Sequence, residues 1–204
     1  MSASEDRTAL DWEARFRDNE TPWERGDLHP AIALWQQAGA LEAGRRIIVP
    51  GCGRSPEPAF FAGLGLEVTA MDLSGTAIAW QKAHFDQLGL SGHFVEGDSL
   101  AWTPDEPVDL VHEQTFLCAI HPSLRTDYEA ALRRWLKPGG QLLALFMQKD
   151  EMGGPPYGCS LDAMRSLFPA DRWDWPSDTD FRPCPHPSLN GKPELAGILT
   201  LRAS

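Results

Sequence analysis

The stretch Arg45-Arg46-Ile47-Ile48-Val49-Pro50-Gly51-Cys52-Gly53-Arg54-Ser55, followed by Val68-Thr69-Ala70-Met71-Asp72, constrains this chain more than any other. Ile47, Ile48 and Val49 are consecutive apolar residues, the pattern of a parallel strand covered on both faces. Gly51 and Gly53 permit a turn whose backbone angles a Cβ would penalise, and let main chain approach a ligand closely. A second apolar strand ends in Asp72, about twenty residues beyond the turn, where a carboxylate can accept hydrogen bonds from both hydroxyls of a ribose. Strand, glycine turn, helix start and strand-end carboxylate together predict a unit that holds an adenosine-type cofactor.

The residues after the turn discriminate between cofactors. A dinucleotide places its pyrophosphate on the helix N-terminus, which favours a third glycine and a free first turn. Here Arg54, Ser55, Pro56 and Glu57 follow, and an acidic Glu57 in that turn is expected to repel a pyrophosphate while suiting the helix dipole. S-adenosylmethionine carries no phosphate. His93 to Ser99 reads as a third strand ending in Asp98, placed to accept from an adenine amino group, with the Ser99 N–H placed to donate to a ring nitrogen. Asp72 or Asp98 alone reads equally well as a helix N-cap; both behind one glycine turn favour S-adenosylmethionine over NAD.

Composition narrows the partners. The 204 residues suit one domain with a single sizeable core. A formal net charge of -11 argues against a nucleic-acid surface, which depends on Lys and Arg neutralising phosphates. No apolar run is long enough to span a bilayer, and Met1 to Arg7 lacks the pattern of a signal peptide. Cys52, Cys118, Cys159 and Cys184 have no metal or redox spacing, so no metal is expected and a reducing cytoplasmic setting is. Without a coiled-coil seam, a monomer acting on a small-molecule acceptor is the expectation.

The rest of the chain alternates. Leu10, Trp12, Phe16, then Ile32, Leu34 and Trp35 have helical spacing, around a loop at Thr21-Pro22-Trp23-Glu24-Arg25-Gly26. Ser74 is expected to cap a helix running to Leu88 and ending at Gly89. Val108 to His112 reads as a fourth strand; Pro122 to Leu136 as a helix stopped by Pro138-Gly139-Gly140; Gln141 to Met147 as a fifth strand. A short helix begins at Ser160, and Ala196 to Leu201 suits an antiparallel edge strand. The prediction is an α/β, doubly wound, mostly parallel sheet with helices on both faces.

These motifs resemble the class I S-adenosylmethionine-dependent methyltransferases, and within them the thiopurine methyltransferase superfamily. Trp12, Thr21-Pro22-Trp23-Glu24 and Gly26 are similar to that superfamily's N-terminal segment, Val49 to Gly53 to its first cofactor motif, and Leu136 to Gly140 to a motif of class I methyltransferases. Thr115 to Ile120 and Gly153-Gly154-Pro155-Pro156-Tyr157 are nearest the halide/thiol methyltransferase branch. Ser55 replaces a frequent third glycine, and Glu113 a frequent Asp. The resemblance implies a Rossmann-like, seven-stranded fold in one domain, with residues 1–42 as a helical lid and 43–204 as the core. It implies cofactor contacts from Trp12, Trp23, Gly51, Cys52 and Gly53, then from Asp72, Leu73, Asp98, Ser99 and Glu113. It places Trp12, Phe116 and Tyr157 at the acceptor, with Glu113 and Tyr157 as catalytic groups.

Methyl transfer from a sulfonium to a soft nucleophile needs alignment and exclusion of water more than acid–base help, and positioning is worth up to roughly 7–11 kcal/mol in model reactions. A thiol must lose its proton, for which His112, Glu113 and Tyr157 are candidates; a halide needs no base. The bland readings are a core or rim His112, a buried apolar Cys118, and Trp12 and Trp23 as core aromatics. The leading expectation is methyl transfer to a thiol, with a halide or thiopurine as further acceptors. The alternatives are an NAD-dependent oxidoreductase or a non-catalytic S-adenosylmethionine-binding protein.

Overall fold

The computed structural model describes residues 10–186 and 190–203. The first nine positions of the expected lid, with the stretch read as lacking a signal peptide, lie outside the described residues. Two short helices open the chain, α1 (Trp12–Arg17) and α2 (Ile32–Gln37), followed by β1 (Arg46–Pro50), α3 (Glu57–Gly63), β2 (Glu67–Asp72), α4 (Gly75–Leu88) and β3 (His93–Glu96). Then come β4 (Val108–Glu113), α5 (Phe116–Ala119), α6 (Arg125–Trp135), β5 (Leu136–Met147), α7 (Leu161–Leu167), β6 (Trp173–Asp174), β7 (Arg182–Pro185) and β8 (Pro193–Leu201).

The sheet runs β3-β2-β1-β4-β5-β8, parallel through β5 and antiparallel at β8. Eight strands occupy the seven expected positions because two short segments share the last edge: β6 pairs with the end of β8 at Leu201 and Thr200, and β7 with its start from Ala196 to Pro193. Alternation along each strand divides the core. Ile47, Val49, Leu143 and Leu145 face α2, α3 and α4; Ile48, Val111, Leu142, Ala144 and Phe146 face α6 and α7. The consecutive apolar residues of β1 thus serve two covered faces.

Local chemistry sets the ends. Ser74 caps α4 by accepting from the Ala77 N–H, and Gly89 closes it in the left-handed conformation at φ 65°. Ser160 caps α7 in the same way. Two sequence expectations are corrected. The helix predicted from Pro122 begins with a 3-10 turn, and α6 ends at Trp135; Leu136 already pairs with Val108. Pro138-Gly139-Gly140 therefore does not stop a helix but bulges out of the β4–β5 ladder, where Leu110 next pairs with Gln141. The bulge is tied down by the Lys137–Asp109 ion pair, and Asp109 also accepts from the Arg46 N–H at 2.8 Å. The third strand ends at Glu96, so Asp98 stands two residues beyond it.

Candidate active site

The order β3-β2-β1-β4 reverses chain direction of growth beside β1, so a crevice opens at the carboxyl ends of β1 and β4, where open α/β sheets bind ligands. Gly51 and Gly53 turn the chain there at φ 57° and 50°. A Cβ on Gly51 would stand 2.7 Å from Phe116 Cδ2, so the turn requires glycine by both conformation and space. Gln81 on α4 pins the turn from beneath, its Nε2 donating to the carbonyls of Gly53 and Ser55 at 3.0 and 2.9 Å.

Asp72 ends β2 beside this turn. Its Oδ2 accepts from the Gly53 N–H at 2.8 Å and its Oδ1 from the Ser74 N–H at 2.9 Å. Burial raises its pKa to about 6; those two N–H groups oppose the shift, and the nearby Glu13 charge adds to it. The carboxylate is ionised at neutral pH, and two of its roughly four lone-pair sites remain for a ligand. Asp72 does not cap α4, since Ser74 does. Nor does Asp98 cap a helix; it accepts from the Leu100 N–H at 2.9 Å in the loop after β3. That loop is held at Asp72, whose carbonyl accepts from the Gly97 N–H at 2.9 Å. Ser99 is buried, whereas Leu73 is 53 % exposed on the same rim. Cys52 is a packing group: burial pushes its thiol well above the usual range.

The N-terminal segment closes over the turn. Phe16 lies so close to Gly53 that a Cβ there would meet it at 3.1 Å, and Trp23 packs edge-on against Phe16 and Trp12. Arg54 fastens the segment, with Nε and Nη2 gripping Glu24 at 2.7 and 2.9 Å, Nη2 also reaching Thr21, and Nη1 reaching Asn19. Glu13 of α1 accepts from the Ser74 hydroxyl and from the Thr76 hydroxyl and N–H, which hold its carboxyl at about 2. Sequence reading singled out Trp12 and Trp23 and missed Glu13, Arg54 and Gln81. The available signal was Glu24 and Arg54, opposite charges inside the two segments already recognised as motifs.

Beneath this segment lies a cavity of about 40 Å³. Its wall is Gly51 to Ser55, Val49, His112, Gln114 and Thr115, with Trp23, Glu24 and Arg25 from above. Thr115 stands in the left-handed region at φ 63°, uncommon for a non-glycine residue and characteristic of sites that hold strain. The structure brings Trp23, Gly51, Cys52 and Gly53 to this cavity but not Trp12, Phe116, Tyr157 or Glu113. Trp12 backs Trp23. Phe116 packs against Tyr128 with ring centroids 4.8 Å apart. Tyr157 meets His121 edge-on at 5.6 Å, and its N–H donates to the Cys118 carbonyl at 2.7 Å.

Glu113 is fully buried. Its Oε1 accepts from the Leu117 N–H at 2.9 Å and its Oε2 from the Tyr128 hydroxyl at 2.8 Å. These bonds anchor the start of α5. Arg125 anchors its end by donating to the Leu117 carbonyl, and joins it to the Tyr157 loop through the Gly158 carbonyl at 3.0 Å. Burial raises the Glu113 pKa from 4.5 to about 7. Between those values the unfolded chain releases the proton first, so stability from this group falls as pH rises from about 4.5 to 7 and then levels off. Gln at 113 can keep both hydrogen bonds without a charge. Thermal melts should therefore show that Glu113→Gln loses less stability than the parent between pH 5 and pH 8; equal losses would contradict the assignment.

Glu57 also departs from expectation. It is fully buried, with Oε1 accepting from the His29 N–H at 2.7 Å, and does not line the cavity mouth where it was expected to repel a pyrophosphate. Among the described residues, no helix is long and apolar enough to cross a membrane, and no cluster of His, Cys, Asp and Glu is placed to hold a metal.

Comparison with known proteins gives a consistent picture. A family model described as thiopurine S-methyltransferase matches residues 7–176. The chain is 35 % identical over 160 residues to "Probable thiol methyltransferase 2" of Arabidopsis thaliana, and 32 % identical to "Thiocyanate methyltransferase 1" of the same plant, covering 77 % of this chain and 70 % of each relative. A crystal structure of the Burkholderia thailandensis 1,6-didemethyltoxoflavin-N1-methyltransferase, solved with bound S-adenosylhomocysteine, superposes with a TM-score of 0.74 at 18 % identity, covering 93 % of this chain and 85 % of that one, and supports the fold. With most of its length matched by that family model, this chain belongs to the thiopurine S-methyltransferase family.

Proposed function

We propose that this protein transfers the methyl group of S-adenosylmethionine to the sulfur of a small thiol-type acceptor. The observation that carries the reading is Asp72, ionised at neutral pH and locked between the Gly53 and Ser74 N–H groups at the edge of a glycine turn. The free lone pairs of Asp72 suit ribose hydroxyls, half-exposed Leu73 suits an adenine face, and the Asp98–Ser99 loop suits its polar edge. The turn at Gly51 to Gly53 suits the methionine portion. When bound, the cofactor supplies an activated methyl group; the chain holds it, aligns the acceptor and excludes water.

Residues 10–42 act as the lid of a single domain in this reading, latched through Glu13 and Arg54. Glu113 is a positioning residue, and the Tyr157 hydroxyl belongs to the outer wall of the acceptor site. The acidic net charge of -11 and four free, buried cysteines suit a monomer in a reducing cytoplasm acting on small molecules rather than nucleic acid. Family membership removes support for the oxidoreductase alternative. Calorimetric titration tests the reading: S-adenosylhomocysteine should bind with a Kd on the order of micromolar and NAD should not. Binding of NAD with none of S-adenosylhomocysteine would overturn it.

A further inference from the structure

We propose that His112 receives the proton of the acceptor, and that the site is thereby selective for small neutral thiols over aprotic anions such as thiocyanate and iodide. The proposal rests on the methyltransferase reading above and deepens it. His112 ends β4 with a fully buried ring that forms part of the cavity wall. Its Nε2 lies 3.0 Å from Gln114 Oε1, which can only accept, so Nε2 carries the hydrogen. Nδ1 is left with a lone pair and no partner. Buried acceptors are nearly always satisfied, and one left open beside a cavity calls for a donor from a ligand.

Strand order places that donor. With ribose at β2 and the methionine portion at the β1 turn, the methyl group is presented toward β4, where His112, Gln114 and Thr115 stand. The cavity's charges point the same way. Both guanidinium groups on its wall are engaged, Arg54 with Glu24 and Arg25 with Glu194, so no unpaired cation awaits an anion there. An S–H group satisfies Nδ1, whereas an aprotic anion meets its lone pair.

The groups facing His112 leave it neutral. Phe61 of α3 meets its ring edge-on at 5.1 Å, and Glu57, one turn earlier, engages the His29 backbone. His29 before α2 opposes the charged form and Glu194 of β8 favours it, while Cys52, Glu24, Arg25 and Arg54 complete the cavity. Burial dominates and lowers the His112 pKa to about 4. So weak a base suffices, because a thiol sulfur becomes far more acidic as its bond to carbon forms. In the balanced step, the acceptor sulfur bonds to the methyl carbon. The bond from methyl to donor sulfur breaks, leaving its electron pair on S-adenosylhomocysteine. The S–H electron pair stays on the thioether, and the proton passes to Nδ1 and then to solvent.

The test compares the parent protein with His112→Phe and His112→Gln, each shown to bind S-adenosylhomocysteine within about threefold of the parent so that folding is controlled. With ethanethiol, the parent's kcat/KM should be level from pH 6 to 8. The Phe variant can use only pre-formed thiolate, so its value should rise about tenfold per pH unit from pH 6 to 8, leaving it about 100-fold lower at pH 6 than at pH 8. Its thiocyanate-to-ethanethiol rate ratio should rise at least about tenfold. Without turnover, adding ethanethiol to the S-adenosylhomocysteine complex should shift the His112 Nδ1 signal in a ¹⁵N NMR spectrum, and thiocyanate should not. Parallel pH profiles in parent and variant, or an unmoved Nδ1 signal, would overturn the proposal. No thiol turnover by parent protein that binds S-adenosylhomocysteine would instead overturn the thiol-acceptor reading beneath it.

Discussion

Asp72→Ala should weaken S-adenosylhomocysteine binding by at least about 100-fold, measured by calorimetric titration, while leaving the fold intact. Hydrogen bonds to a charged group are each worth about 1.5–3 kcal/mol, so losing two ribose contacts costs roughly 3–6 kcal/mol of affinity. The substitution also releases the Gly53 and Ser74 N–H groups, which loosens the glycine turn and the start of α4 together. Part of the loss therefore comes from disorder in the empty site. Asp72→Asn, which keeps one carbonyl-type acceptor, should fall between the two. Equal affinity in the Ala variant would remove Asp72 from the cofactor site.

Trp135→Ala should have the largest effect on stability. Trp135 ends α6 fully buried, with its Nε1 donating to the Trp102 carbonyl at 3.0 Å and its ring edge-on to Trp102 and Tyr128. Truncating a buried Trp costs about 3–5 kcal/mol through lost burial and the cavity left behind. For a domain of this size each kcal/mol lowers Tm by about 2–4 °C, so a drop on the order of 6–20 °C is expected by calorimetry. Because Tyr128 bonds Glu113, the damage should reach α5 and the acceptor side of the site. A fall of under 2 °C, on the same scale, would mean that this packing is not what holds α6 to the sheet.

The nucleotide half of the site was legible because its demands are local. A covered strand, a turn that only glycine can make, and a carboxylate at the next strand end leave their marks at fixed spacing. Asp72 and the two glycines needed no distant partner to be recognised. The acceptor half is built from pairings remote in sequence, which spacing cannot reveal. Glu113 followed an apolar strand and read as catalytic, yet its carboxylate is taken up by Leu117 and Tyr128. His112 read both as a candidate proton acceptor and as a core or rim histidine, and spacing could not show which of its nitrogens is engaged. Glu57 read as facing a ligand because helix position alone does not say which side of a first turn is buried. At the last edge, the alternation of β8 was clear, but β6 is too short to leave a periodic signal.

The most direct test of the account is to incubate the purified protein with S-adenosylmethionine and a small thiol such as ethanethiol or hydrosulfide and to quantify both products. Equal amounts of S-adenosylhomocysteine and methyl thioether (methanethiol from hydrosulfide), each requiring protein and thiol, are the predicted result. Protein that is folded and binds S-adenosylhomocysteine but forms neither product with any small thiol would contradict it.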